Sequence, residues 1–250
     1  MLEVLGIGLI ATLYSSVGHA GASGYIALFS LLGRSALEIR WMALELNLCV
    51  SLLTALQFTR ARALGEGQFK RVVLPLILGS IPLAWVGGAI VVPLPLLRQV
   101  LGFVLLFSAL RFLWNPKDVQ DPKPPSFWIL SLLGSGLGLV SGLTGTGGGI
   151  FLSPLAIFLG WSRTRQTAAI SAWFIFFNST AGLLGGISRL GPTAAIPEPW
   201  SNPMLSLIGA AVLGGLLGSH LGSRRFSVVW IRRLLALTLG IASTKLMLGG

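Results

Sequence analysis

Apolar residues run along this chain in eight blocks, at about 4–33, 41–59, 72–92, 97–114, 127–160, 167–188, 203–222 and 228–249. A helix needs roughly 20 apolar residues to cross the hydrocarbon core of a bilayer, and most of these blocks have that length. Between them the chain turns polar only briefly, with basic residues one to four at a time. The pattern predicts an all-α, polytopic membrane protein with no separate soluble domain. The most polar and Pro-rich interval, Asn115-Pro116-Lys117-Asp118-Val119-Gln120-Asp121-Pro122-Lys123-Pro124-Pro125, reads as a linker. It separates a first transmembrane repeat (1–114) from a second (127–250), with the linker itself at 115–126.

The two parts share landmarks at a constant offset of 127 residues: Gly18 matches Gly145, Gly21 matches Gly148, Gly33 matches Gly160, and the Ser51 region matches the Asn178 region. In the third segment of each part, Ser80, Ala84 and Gly88 correspond to Gly214, Gly218 and Gly222, and Gly134, Gly138 and Gly142 form another such row. Small residues four apart let helix backbones approach closely in lipid, where the hydrophobic effect does not drive helices together. Most of the 33 glycines are expected to serve this packing, and an internal duplication is the economical explanation.

Each part opens on an apolar block interrupted by small and polar residues. The first interruption is Ser15-Ser16-Val17-Gly18-His19-Ala20-Gly21-Ala22-Ser23-Gly24, and the second is Ser141-Gly142-Leu143-Thr144-Gly145-Thr146-Gly147-Gly148-Gly149. The pieces flanking the first are too short to span the bilayer alone. Either each interrupted block crosses once as a kinked helix, or it dips to mid-membrane and returns as a re-entrant hairpin. If both cross, the 18 basic residues divide nine and nine and give no orientation. If both are re-entrant, Arg34, Arg40, Arg98, Arg189 and Lys245 lie on one side, and the other 13 basic residues lie opposite. That asymmetry makes the second side cytoplasmic. It favours two inverted repeats, each a Gly-broken re-entrant helical hairpin plus three transmembrane helices, with both termini outside the cell membrane. Against it, residues 127–143 are nearly long enough to cross alone.

Irregular backbone at membrane depth survives only inside protein or lining a cavity, so the two breaks are the expected binding site. The candidate substrate-binding residues are Ser16, Gly18, His19, Gly21, Ser23, Asn47, Thr144, Gly145, Thr146, Gly147, Gly148, Gly149 and Asn178. Amide N–H groups at a restarting helix, together with hydroxyls, suit an anion. His19 stands where the second part has Thr146, and it is the candidate for coupling transport to a proton. Hydrogen bonding within the bundle would also explain Asn47, Asn178 and a neutral His19. Arg34, Arg40, Arg163 and Arg165, which follow the broken blocks, are expected to draw anions into a vestibule. Trp41, Trp85, Trp114, Trp128, Trp161, Trp200 and Trp230 mostly fall at block ends and are expected to anchor at the interfaces.

Composition narrows the function. The chain is 54% hydrophobic and 10% charged, against about 25% charged residues in soluble domains. The net charge of +11 is scattered between apolar blocks, which fits juxtamembrane anchoring and argues against nucleic acid as a partner. Seven acidic residues, two histidines and one cysteine provide no HExxH or CxxC metal spacing, and no phosphate-binding GxxxxGK[ST] loop occurs. No catalytic site, metal or cofactor is expected. The N-terminus, Met-Leu-Glu-Val-Leu-Gly, lacks a basic n-region and is expected to enter the first membrane block rather than serve as a cleaved signal.

The stretch Gly145-Thr146-Gly147-Gly148-Gly149-Ile150-Phe151-Leu152-Ser153-Pro154-Leu155 resembles the signature of the sulfite exporter (TauE/SafE-type) family, with a degenerate copy at Gly18-His19-Ala20-Gly21-Ala22. The resemblance implies a multi-pass secondary transporter, without ATP, that exports a small sulfur-containing oxyanion such as sulfite or an organosulfonate across the inner membrane. Gly145, Gly147, Gly148, Gly149 and Pro154 carry over as signature positions, and His19 and Ala22 depart from the pattern. The competing readings are an anion channel of the same architecture and a non-transport membrane scaffold. Which sulfur anion is carried, in which direction, with which coupling ion and in what oligomeric state is not written in the sequence.

Overall fold

The computed structural model describes residues 2–34, 36–65, 67–90, 106, 109–110, 120–190 and 202–248. Among these residues the regular structure is helical: α1 (Leu2–Ser15), α2 (Ala22–Leu31), α3 (Ala36–Arg60), α4 (Leu74–Ala89), α5 (Phe127–Thr144), α6 (Gly149–Phe158), α7 (Thr164–Leu190), α8 (Asn202–His220) and α9 (Val228–Leu248). A π-helical turn at Phe69–Val73 leads into α4, and a second at Leu221–Arg225 extends α8. Five stretches are long and apolar enough to cross a bilayer: Glu38–Arg60, Phe69–Ala89, Phe127–Thr144, Thr164–Arg189 and Met204–Arg225. The fourth apolar block predicted at 97–114 and linker residues 115–119 lie outside the described residues, apart from Leu106, Ala109 and Leu110.

Both interrupted blocks fold back on themselves. In the first, α2 returns along α1: a Cβ on Gly6 would lie 3.0 Å from Leu28 Cδ2, and one on Gly24 would collide with Ile10. In the second, a Cβ on Gly148 would lie 3.5 Å from the Leu137 carbonyl, so the break already turns α6 toward α5. The far ends of that unit meet, because Lys123 N–H donates to the Gly160 carbonyl at 2.9 Å. Arg163 Nη2 adds a bond to the Gln120 carbonyl at 3.0 Å. With 10 residues, α6 is about 15 Å long.

The two parts of the chain interlock. Each hairpin packs against the third apolar segment of the other part, α8 for the first and α4 for the second, through the small-residue rows found in the sequence. Gly134, Gly138 and Gly142 of α5 lie on the backbones of Leu76, Ser80 and Ala84 of α4. In the mirrored contact, Gly214, Gly218 and Gly222 lie on the backbones of Gly8, Thr12 and Ser16 in and just after α1. A Cβ at any of these glycines would run into a carbonyl oxygen of the partner helix. Close backbone approach replaces the hydrophobic effect as the adhesive. Helices α3 and α7 run antiparallel through the centre: Trp41 lies against Gly186, and Trp173 Nε1 donates to Thr59 Oγ1 at 3.1 Å.

This arrangement sorts the charges. Arg40 and Arg189 share one end, where Arg40 reaches the Ile90 carbonyl and Arg189 the Ala89 carbonyl. The other end gathers Lys123, Arg163 and Arg165, the last donating to the Phe226 carbonyl at 2.6 Å, together with Arg60, Lys70, Arg71, Arg224 and Arg225 at helix ends.

Arg40 does not behave as the anion attractor expected from sequence. Its Nη1 donates to the carbonyl of Ile90 at 3.0 Å, and its Nη2 to those of Gly87, Gly88 and Gly142 at 2.9, 2.6 and 2.7 Å. Those carbonyls lie at the ends of α4 and α5, where the helical ladder runs out; that of Gly87 also accepts from Ile90 N–H at 3.2 Å. A guanidinium, with five donors in a rigid fork, satisfies two helix ends at once and sits at the negative ends of both dipoles. Trp41 and Trp161 also differ from expectation, since at 5% and 6% exposure they are core residues and not interfacial anchors.

Gly138→Val should lower the melting temperature of the detergent-purified protein, by the 1–3 kcal/mol typical of overpacking or more. Gly136→Val on the same helix meets nothing within 4 Å and should be close to neutral. Arg40→Leu should destabilise by about 1–3 kcal/mol by removing the donor to the Gly88, Ile90 and Gly142 carbonyls, whereas an anion-attracting arginine would change uptake and leave the melt unchanged.

Candidate functional site

The second break forms because three glycines adopt left-handed backbone angles that other residues rarely take. Gly145 ends α5 at φ 73° with its N–H donating to the Ser141 carbonyl at 2.9 Å, which is a left-handed C-cap. Gly147 and Gly148 then turn the chain at φ 75° and 78°, and α6 starts at once. The first bonds of the new helix run from Phe151 and Leu152 N–H to the Gly148 carbonyl. The N–H groups ahead of them therefore point into the break, at the positive end of the α6 dipole.

Beside these glycines, along with the apolar Ile175 and Phe174, lie polar side chains that are buried and unpaired. A Cβ placed on Gly147 would lie 3.1 Å from Ser179 Oγ and 3.3 Å from Asn47 Nδ2, and one on Gly148 would lie 3.2 Å from Ser141 Cβ. Asn47, Ser141 and Ser179 are each 0% exposed. Both side-chain polar atoms of Asn47, and the hydroxyls of Ser141 and Ser179, have no hydrogen-bond partner. Asn178 donates to the Phe174 carbonyl at 2.7 Å, but its Oδ1 is also unpaired. Buried unpaired polar atoms cost about 1–3 kcal/mol each, so a cluster of them is unusual unless something else supplies partners.

The first break is occupied differently. Gly18, at φ 86°, lies on Ala168 of α7 so closely that no side chain would fit. His19 N–H donates to the Tyr14 carbonyl at 2.9 Å, and Tyr25 OH donates to the Ala20 carbonyl at 2.7 Å. Gly21 turns beside the Tyr25 ring. His19 Nε2 shares a 2.8 Å hydrogen bond with Ser153 Oγ on α6, and Ser153 shares another of 2.8 Å with Ser171 Oγ on α7. The imidazole also lies beside the backbone of Gly149. His19 thus joins the first break to the first turns of the helix that restarts from the second.

The remaining candidate donors are committed within the chain. Ser16 Oγ donates to the Leu13 carbonyl at 2.6 Å, Ser23 Oγ to Tyr14 OH at 2.8 Å, and Thr144 Oγ1 to the Val140 carbonyl at 2.7 Å while sharing 2.8 Å with Thr146 Oγ1. Sequence reasoning did not select Ser141, Ser153 or Ser171. Single serines in apolar helices usually bond their own helix, and only tertiary placement distinguishes these three. Among the described residues no group of three or more His, Cys, Asp or Glu converges to hold a metal.

The model of the family described as "Sulfite exporter TauE/SafE" matches residues 4–246. A protein of Sinorhizobium fredii named "Probable membrane transporter protein y4hK" is 36% identical over 256 residues, covering 98% of this chain and 98% of that protein. "Probable membrane transporter protein MamO" of Magnetospirillum gryphiswaldense is 30% identical over 136 residues, which is 53% of this chain and 21% of that protein. No solved structure matches.

The unpaired cluster and the His19 chain should respond in opposite ways to truncation. Asn47→Leu, nearly isosteric, should leave the melting temperature unchanged or raise it, because it removes an unsatisfied buried amide. Ser171→Ala, which deletes a made hydrogen bond, should cost about 1 kcal/mol in the same melt.

Proposed function

The chain belongs to the sulfite exporter TauE/SafE family, and from that premise we propose that this membrane transporter carries a small sulfur oxyanion, such as sulfite or an organosulfonate, through the second glycine break. One observation carries the reading: Gly147 and Gly148, at the N-terminus of α6, lie against Asn47, Ser179 and Ser141, whose buried polar atoms have no partner. Oxyanions present several acceptor oxygens, and amide N–H groups, hydroxyls and a side-chain amide meet them without a fixed cation. A neutral site also holds its ligand weakly enough to let it go.

The folded-back hairpins support a re-entrant arrangement. In it, α1–α2 enters the membrane from one face and α5–α6 from the other, as in inverted-repeat transporters built on broken helices. The basic end of the bundle is then cytoplasmic, and the chain termini lie outside the inner membrane. Secondary transport proceeds by exposing the site alternately to the two faces, with the interlocked hairpins and their partner helices as the moving bodies.

Reconstituted into proteoliposomes, the protein should move sulfite in a saturable manner and show counterflow. Gly147→Val, which would drive a side chain into Ile175 and Ser179, should reduce flux at least tenfold in protein that still elutes as a single species. Flux of sulfite and organosulfonates no greater than in empty liposomes would overturn the reading.

A further inference from the structure

The second break offers more than donors, and its acceptors bear on the ionisation state of the ligand. Asn47 leaves both its Nδ2 and its Oδ1 unpaired at 0% exposure. An amide in that position is satisfied only by a guest that both accepts and donates. Reversing the amide exchanges the two atoms and leaves the requirement intact.

The charges around the site point the same way. The titratable or charged groups on the elements around it are His19 on the first break; Glu38, Arg40, Glu45, Cys49 and Arg60 on α3; and Arg165 and Arg189 near the ends of α7. Helices α4, α5 and α6 contribute none. None of these groups bonds to Asn47, Ser141 or Ser179, which have no partners, and Arg40 is held by carbonyls of two helix ends. The cost of burying an ion rises with the square of its charge, so a dianion costs about four times as much as a monoanion here. The dipole of α6 offers roughly half a positive charge, enough to favour one negative charge over none. The same dipole disfavours a metal cation at these oxygens.

Resting on the transport reading above, we propose that the second break binds its oxyanion in the singly protonated form, hydrogen sulfite and not the sulfite dianion. Asn47 accepts from the proton-bearing atom of the ligand. The hydroxyls of Ser141 and Ser179 and the N–H groups at the start of α6 donate to its oxygens. Each transported anion then carries one proton with it, and His19 serves as a tether between the breaks and not as the titrating group.

The test is binding of sulfite and of methanesulfonate to purified protein by calorimetry across a pH series. Methanesulfonate is a monoanion at every pH used and has no proton to donate. Sulfite affinity, expressed on total sulfite, should fall about tenfold per pH unit above the pKa of hydrogen sulfite, the slope for loss of one proton, and should be flat when expressed on hydrogen sulfite. Methanesulfonate should bind at least a hundredfold more weakly than hydrogen sulfite, without pH dependence. His19→Gln, which keeps a side-chain N–H for Ser153, should retain the sulfite profile, and Asn47→Ala should bring the two ligands within about tenfold. Sulfite affinity independent of pH, methanesulfonate bound as tightly, or a profile abolished by His19→Gln would each overturn the proposal while leaving sulfur-oxyanion transport intact. Binding of neither ligand would overturn both readings.

Discussion

Backbone polar groups within an apolar bundle must find partners there, and this requirement organises the whole molecule. Where the helices are continuous, the i to i−4 ladder meets it. Where α5 stops, the loose carbonyls need a donor, and Arg40 supplies it from α3 while also closing the end of α4. Just ahead of α6, Gly147 lies beside Asn47 and Ser179, whose Nδ2, Oδ1 and Oγ are unpaired. The carbonyl side of the break is thus closed by the protein, and the amide side is left open. That polarity alone makes the break suited to an anion.

The two breaks are unequal although their glycines recur at one offset in the chain and share positive φ angles. The second keeps its glycines at 145, 147, 148 and 149 and leaves donors unspent. The first carries His19, bonded through Ser153 to Ser171, and its hydroxyls at Ser16 and Ser23 are committed locally. The second break lies beside buried polar atoms without partners, and the first is a brace that reaches across to the first turns of α6.

Much of this was legible in the residues. Block lengths gave the helices, the glycine clusters gave the positions of both breaks, and the offset of 127 residues paired the landmarks of the two parts. The small-residue rows at Ser80, Ala84 and Gly88 and at Gly214, Gly218 and Gly222 were visible too. Their partners were not, because a row of small residues specifies close approach without saying to which helix. Arg40 was misread for a similar reason. Its position after a broken block suggested ligand attraction, whereas its role depends on two helix ends, far apart in sequence, converging on one side chain. Ser141, Ser153 and Ser171 carried no local signal, since a lone serine in an apolar helix is common.

The interlocking of the two parts has a consequence for biosynthesis. Gly8 meets Gly214, so at translation rates of about 5–20 residues per second α1 waits roughly 10–40 s for its partner. During that interval its small-residue groove faces lipid or whatever machinery inserts the nascent chain. Helix α4 waits a shorter time for α5. The first part of the polypeptide thus has no finished tertiary structure of its own to adopt, and assembly must end with a late closing step in which the last-made helices lock the earliest ones in place.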